Sequence, residues 1–177
     1  MFRSLKKLIL LTAALFAISS SAPAQKRNEI KPPAETASLA ESQQWIAETL
    51  VKYGSYKTRV EAMTLSKVTF DGCGVTFTET RKSGSTSTAT MGATRTTNVS
   101  KNDISIDLGK VRADGISLED HIYPELQTVK VWYSGFDLSE GSTEGRIYYI
   151  VVKRDAGDAI KMALVQIRRL CKRPPNL

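Results

Sequence analysis

A long stretch of β character, Tyr56 to Lys153, lies between two amphipathic helical segments, and that order admits few folds. Ahead of it, Ser38 and Glu41 have the spacing of a capping box. Leu39, Ser42, Ile46, Leu50 and Tyr53 then fall on one helical stripe, flanked by Trp45 and Thr49. Gly54 ends this helix, with Lys52 in its last turn. Behind the β region, Ala156, Ala159, Ile160, Ala163, Leu164, Ile167, Leu170 and Cys171 keep helical spacing. Asp155 or Asp158 is the expected cap, and Pro174-Pro175 the stop. Lys161, Arg168 and Arg169 lie off the apolar stripe.

The region between reads as about seven short strands, the pattern of a barrel or sandwich. Tyr56–Leu65 is rich in β-branched and aromatic residues, and Val68 and Phe70 precede an Asp71-Gly72 turn. Cys73, Val75 and Phe77 alternate with small or polar neighbours, and Lys82-Ser83-Gly84-Ser85 is placed as a hairpin loop. Ile104, Ile106 and Leu108 alternate, Asp114-Gly115 marks a turn, and Val129, Val131 and Tyr133 share a face opposite Trp132. The unbroken apolar run Ile147–Val152 predicts a strand covered on both faces. The expected class is α+β: antiparallel strands as a barrel or curved sheet, an N-terminal helix and a C-terminal capping helix. This element order resembles that of pleckstrin-homology-like domains, in which the last helix plugs a strongly bent sheet. A cystatin-like curved sheet cradling the first helix is the alternative.

The first 24 residues say where the chain goes. Arg3, Lys6 and Lys7 lead into the apolar run Leu8–Ile18, then Ser19-Ser20-Ser21 and Ala22-Pro23-Ala24. These are the three parts of a secretory signal peptide, cleaved after Ala24 to leave Gln25 first. The apolar run is too short to span a hydrocarbon core of about 30 Å. No cysteine follows the small residues, so a lipid anchor is not expected. Residues 25–35 are polar and carry Pro32-Pro33, which reads as a flexible arm, and 36–177 form a single domain.

The whole chain carries a net charge of +7, with 25 Lys+Arg against 18 Asp+Glu. Loss of the leader's three cations leaves +4, and no nucleic-acid recognition motif accompanies that charge. No later apolar run is long enough to cross a membrane. Nucleic acid is therefore not an expected partner; a protein or an envelope component is.

The chain has two cysteines, Cys73 and Cys171, and its expected compartment is oxidising: the periplasm or the exterior. A bridge between them would tie the middle of the domain to its last helix. Redox chemistry and two free thiols packed as small hydrophobes are the alternatives. The segments Ser42–Ile46, Cys73, Ile106–Val111 and Ala163-Leu164 through Leu170-Cys171 resemble a pattern that recurs in exported bacterial proteins of unknown function. The resemblance implies an exported domain with a bridge, and it carries over no activity.

Catalysis is not expected. His121 is the only histidine, among Glu119, Asp120 and Glu125, and the paired histidines or cysteines of a metal site are absent. It reads as part of a surface turn stopped by Pro124. No nucleophile elbow, phosphate loop or zincin motif occurs. No catalytic residue, cofactor or metal is expected. The Ser/Thr-rich stretch 76–100, with Arg81, Lys82, Arg95 and Lys101, reads first as the wet face of a hairpin, and second as an anion or carbohydrate site. The resulting expectation is a non-catalytic binding module. A carrier of an apolar ligand in a curved-sheet cavity is the alternative, and a hydrolase the more remote one.

Overall fold

A computed structural model describes residues 30–89, 92–137 and 142–172, with side chains except within 85–89, 92–96, 133–137 and 142–145. The expected leader and its cleavage site, residues 25–29 of the arm, and Pro174-Pro175 lie outside the described residues.

Helix α1 (Leu39–Tyr53) begins at its capping box. The Ser38 N–H donates to Glu41 Oε2 at 2.7 Å, and the Glu41 N–H to Ser38 Oγ at 3.2 Å. Two of the donors that every helix start leaves orphaned are thereby satisfied. The Ser38 N–H and, at 2.8 Å, the Ser38 hydroxyl both donate to the Glu41 carboxylate and hold it below its ordinary range. The buried face of α1 is Ser42, Ile46, Thr49 and Leu50, which is the stripe read from the sequence without its two ends, joined by the flanking Thr49.

Among the described residues seven strands follow, β1 (Tyr56–Lys57), β2 (Glu61–Asp71), β3 (Gly74–Ala89), β4 (Gly92–Asp107), β5 (Val111–Asp120), β6 (Leu126–Asp137) and β7 (Ser142–Lys153). They form two sheets, β1-β2-β3-β4 and β5-β6-β7, and every pairing is antiparallel. A single 3₁₀ turn, Leu108–Lys110, joins the sheets, and helix α2 (Arg154–Cys171) closes the chain. This is the expected α+β class, with a helix at each end of an all-antiparallel middle. Helix α1 packs on β2, α2 packs on β5 and β6, and the helices pack on each other. The shared core takes Ile46 and Leu50 from α1, Met63, Leu65, Val75, Phe77 and Ile106 from the first sheet, and Val129 and Val131 from the second. Helix α2 adds Ile160, Leu164 and Ile167. Each such side chain contributes roughly 1.5–3 kcal/mol on burial.

Several local expectations are corrected. Lys82–Ser85 lies inside β3, because the β3–β4 ladder continues to Ala89↔Gly92. Asp114-Gly115 is a bulge within β5, where the register shifts between Val111 and Ile116. Only glycine fits there, since a Cβ at 115 would lie 2.3 Å from the Trp132 carbonyl. The Asp71-Gly72 turn is found as expected, with Gly72 at φ +54. Strand β7 is an edge strand covered on both faces only at Ile150–Val152, while Ile147 and Tyr149 are exposed. Neither Asp155 nor Asp158 caps α2: the cap residue is Lys153, without a side-chain bond. The Arg154 N–H goes instead to the Glu125 carbonyl, a loop partner that sequence spacing does not reveal.

Cys73 and Cys171 are bridged, with Cα atoms 5.9 Å apart across 98 residues of sequence. The bridge fixes the end of α2 on the β2–β3 turn. Leu108 donates its N–H to the Cys73 carbonyl, so the link between the sheets meets the bridge at the same place. Residues 30–37 run beside α2, where Gln166 Nε2 donates to the Ala34 carbonyl at 2.8 Å and Ile30 packs partly on the core.

Candidate functional site: a cleft between the two sheets

The start of α2 lies far from the bridge, since its 18 residues span about 27 Å at 1.5 Å each. An open cleft of about 880 Å³ lies at this end. One wall is the β1–β2 hairpin with Tyr56, Lys57, Thr58, Ala62, Met63 and Thr64. The other is made by Pro124, Glu125 and Leu126 at the start of β6 and by Lys153, Arg154 and Asp155 at the β7–α2 junction. Its walls are more apolar than polar. Arg154 braces the second wall, pairing with Asp120 at 2.9 Å and donating from Nε to the Pro124 carbonyl.

Strand periodicity explains what stands beside Tyr56. Val75 and Phe77 face the core, so alternation places Glu79 and Arg81 on the same face further along β3. The register sets Arg81 beside Met63, and Met63 beside Tyr56. Arg81 Nε donates to Glu79 Oε1 at 2.6 Å, and its Nη1 lies 3.8 Å from Glu61 Oε1. The Glu79 side chain is only 5% exposed, so its charge is held by Arg81 away from water. Bonding to Glu79 pushes the guanidinium pKa up.

Burial, helped by the neighbouring Glu61 carboxylate, raises the Tyr56 hydroxyl from 10.0 to about 12. Below pH 10 the hydroxyl is protonated in both folded and unfolded chains. Between about 10 and 12 the unfolded chain ionises while folded Tyr56 keeps its proton, so stability falls as pH rises through that window. Alkaline titration followed by phenolate absorbance should show a late component that Tyr56→Phe lacks. A Tyr56 that titrates near 10 in the folded protein would contradict this reading.

His121 lies in the turn between β5 and β6, as expected, but it is not isolated. Its Nδ1 accepts the Tyr123 N–H at 3.2 Å. Its ring stacks on Tyr123 at 5.5 Å and tilts toward Tyr56 at 6.3 Å, which ties the β5–β6 turn to β1. The carboxylates near it in sequence turn elsewhere: Glu119 pairs with Lys130 at 2.8 Å, and Asp120 with Arg154. Among the described residues no group of three His, Cys, Asp or Glu side chains converges on a metal position.

The cations of 76–100 do not converge either. Arg81 is on the core face and engaged by Glu79, Lys82 and Lys101 are exposed on the opposite face, and the Arg95 side chain lies outside the described residues. The Tyr56, Glu61, Glu79 and Arg81 cluster was not singled out in the sequence. The alternation that places Glu79 and Arg81 on the inner face was readable there. Among the described residues no helix is long and apolar enough to cross a membrane. No protein-family model, curated protein or solved structure matches this chain.

Proposed function

We propose that this protein is an exported, non-catalytic binding module whose partner, a protein or an envelope component, seats an apolar anchor in the cleft between the two sheets. The observation that carries this reading is the open, mainly apolar cleft itself, with exposed apolar residues in the two turns that supply parts of its walls. Val60 is 54% exposed in the β1–β2 turn, and Ile122 is 86% exposed in the β5–β6 turn. An open apolar cleft is the default place for a partner's anchor, and exposed apolar side chains in the turns that build it add to the apolar surface on offer. The cleft opens to solvent, and the shared core is filled by Leu, Ile, Val and Phe side chains, which favours a surface anchor over an enclosed carrier ligand. The basic start, the apolar run and Ala22-Pro23-Ala24 support export with processing after Ala24, into the periplasm or beyond the cell. A disulfide suits either destination, and the resemblance to exported bacterial proteins points the same way.

The test is affinity capture from the envelope of the exporting cell, run in parallel with Ala62→Arg, which fills the cleft, and Ile122→Asp, which charges the β5–β6 turn that leads into its second wall. Both variants should melt close to the parent and lose the captured partner. Capture that survives both substitutions, or a parent that captures nothing, refutes the reading.

A further inference from the structure

We propose that β4 is a self-association edge, and that two copies of this chain pair antiparallel through it about a two-fold axis at Asn102. Strand β4 is the outer strand of its sheet, and residues 97–103 are exposed. An uncovered edge of this length is a template for another strand.

The backbone fixes which groups are free. Leu108 donates to the Cys73 carbonyl, and the ladder sets Asp107 opposite Gly74, so Leu108 and Cys73 form a hydrogen-bonded pair. Hydrogen-bonded pairs recur at every second position of an antiparallel ladder. The even-numbered residues of β4 therefore bond inward to β3. The N–H and C=O groups of Val99, Lys101, Asp103 and Ser105 point out from the edge.

The side chains then select the register. Centred on Asn102, the pairing sets Lys101 opposite the partner's Asp103, and by symmetry the same pair forms again. A shift of one residue in either direction about that centre sets Lys101 against its own copy, or Asp103 against its own copy. Like charges directly opposite are destabilising, and opposite charges are favourable. Asp103 accepts the Thr78 hydroxyl on Oδ1 at 2.6 Å, which orients the carboxylate and leaves Oδ2 for the incoming lysine.

Mass by light scattering after gel filtration, on the disulfide-bonded protein, tests this. The parent should show twice the chain mass, falling to one chain on dilution. Lys101→Asp should give a single chain, and Lys101→Asp with Asp103→Lys should restore the pair, with melting temperatures checking that each variant folds. Asn102→Cys supplies an independent reading. Across the axis, position 102 meets its own copy as a non-hydrogen-bonded pair with Cα atoms about 4.5 Å apart, within disulfide reach. Ser100→Cys would lie about 14 Å from its own copy at 3.4 Å per residue. Mild oxidation should cross-link the first and spare the second. A single-chain mass for the parent at all concentrations, a dimer that persists in Lys101→Asp, or equal cross-linking at both positions would overturn the proposal.

Discussion

Replacing Cys73 and Cys171 together by alanine should lower the unfolding free energy by about 2–5 kcal/mol. The bridge spans 98 residues of sequence, most of the domain. In the chain-entropy account, a closed loop of that size restricts the unfolded ensemble by about 4–5 kcal/mol. The effect belongs to the unfolded state, so it has a signature beyond a lower midpoint. The variant's unfolded chain is more open, and its urea slope should rise as the midpoint falls. Reduced parent protein should behave as the variant does. A variant within about 0.5 kcal/mol of the parent, a range typical of surface changes, would show that α2 holds its place without the bridge.

The second large effect is expected at Arg81. Arg81→Met leaves the Glu79 carboxylate, 5% exposed, without its partner. Removing one member of a buried pair costs about 3–5 kcal/mol. Arg81 is itself 41% exposed, so water can reach its side of the pair, and a loss of about 2–4 kcal/mol is expected here. Glu79→Leu combined with Arg81→Met removes both charges, and should recover most of that loss, to within about 1 kcal/mol of the parent. Urea unfolding of the two single variants, the double variant and the parent measures this directly. If the double variant is no more stable than Arg81→Met, the cost lies in the packing of the arginine stem and not in the stranded charge. The cluster stands beside Tyr56, so its loss should also loosen the β1–β2 wall of the cleft.

Much of this fold was legible where one local rule decides the outcome. The capping box at Ser38 and Glu41, the α1 stripe through Ile46 and Leu50, and the α2 stripe through Ile160, Leu164 and Ile167 are set by neighbours three and four residues apart. The bridge could be anticipated because the chain offers only one pairing and its expected compartment is oxidising. The misreadings share a cause. Lys82–Ser85 and Asp114-Gly115 have turn-forming residues, yet strand pairing overrides them: β4 continues alongside the first, and β6 holds the second in a bulge. The start of α2 was misplaced because its first N–H is satisfied by Glu125, a residue distant in sequence. The cleft was not legible at all. Its walls come from residues 55–64, 124–126 and 153–155, and no local pattern says that these segments meet. His121 shows the same limit: its turn was expected, and its place against Tyr56 was not.

The most direct test of the binding account is a photoreactive residue placed at Ile122, exposed in the β5–β6 turn two residues before the cleft-lining Pro124, and separately at Asp158, exposed on α2. Irradiated in the cell that makes the protein, position 122 should give a discrete adduct that position 158 does not. Ala62→Arg in the same chain should abolish it. No adduct at 122, equal adducts at both positions, or an adduct indifferent to Ala62→Arg would contradict the assignment of this cleft as the binding site.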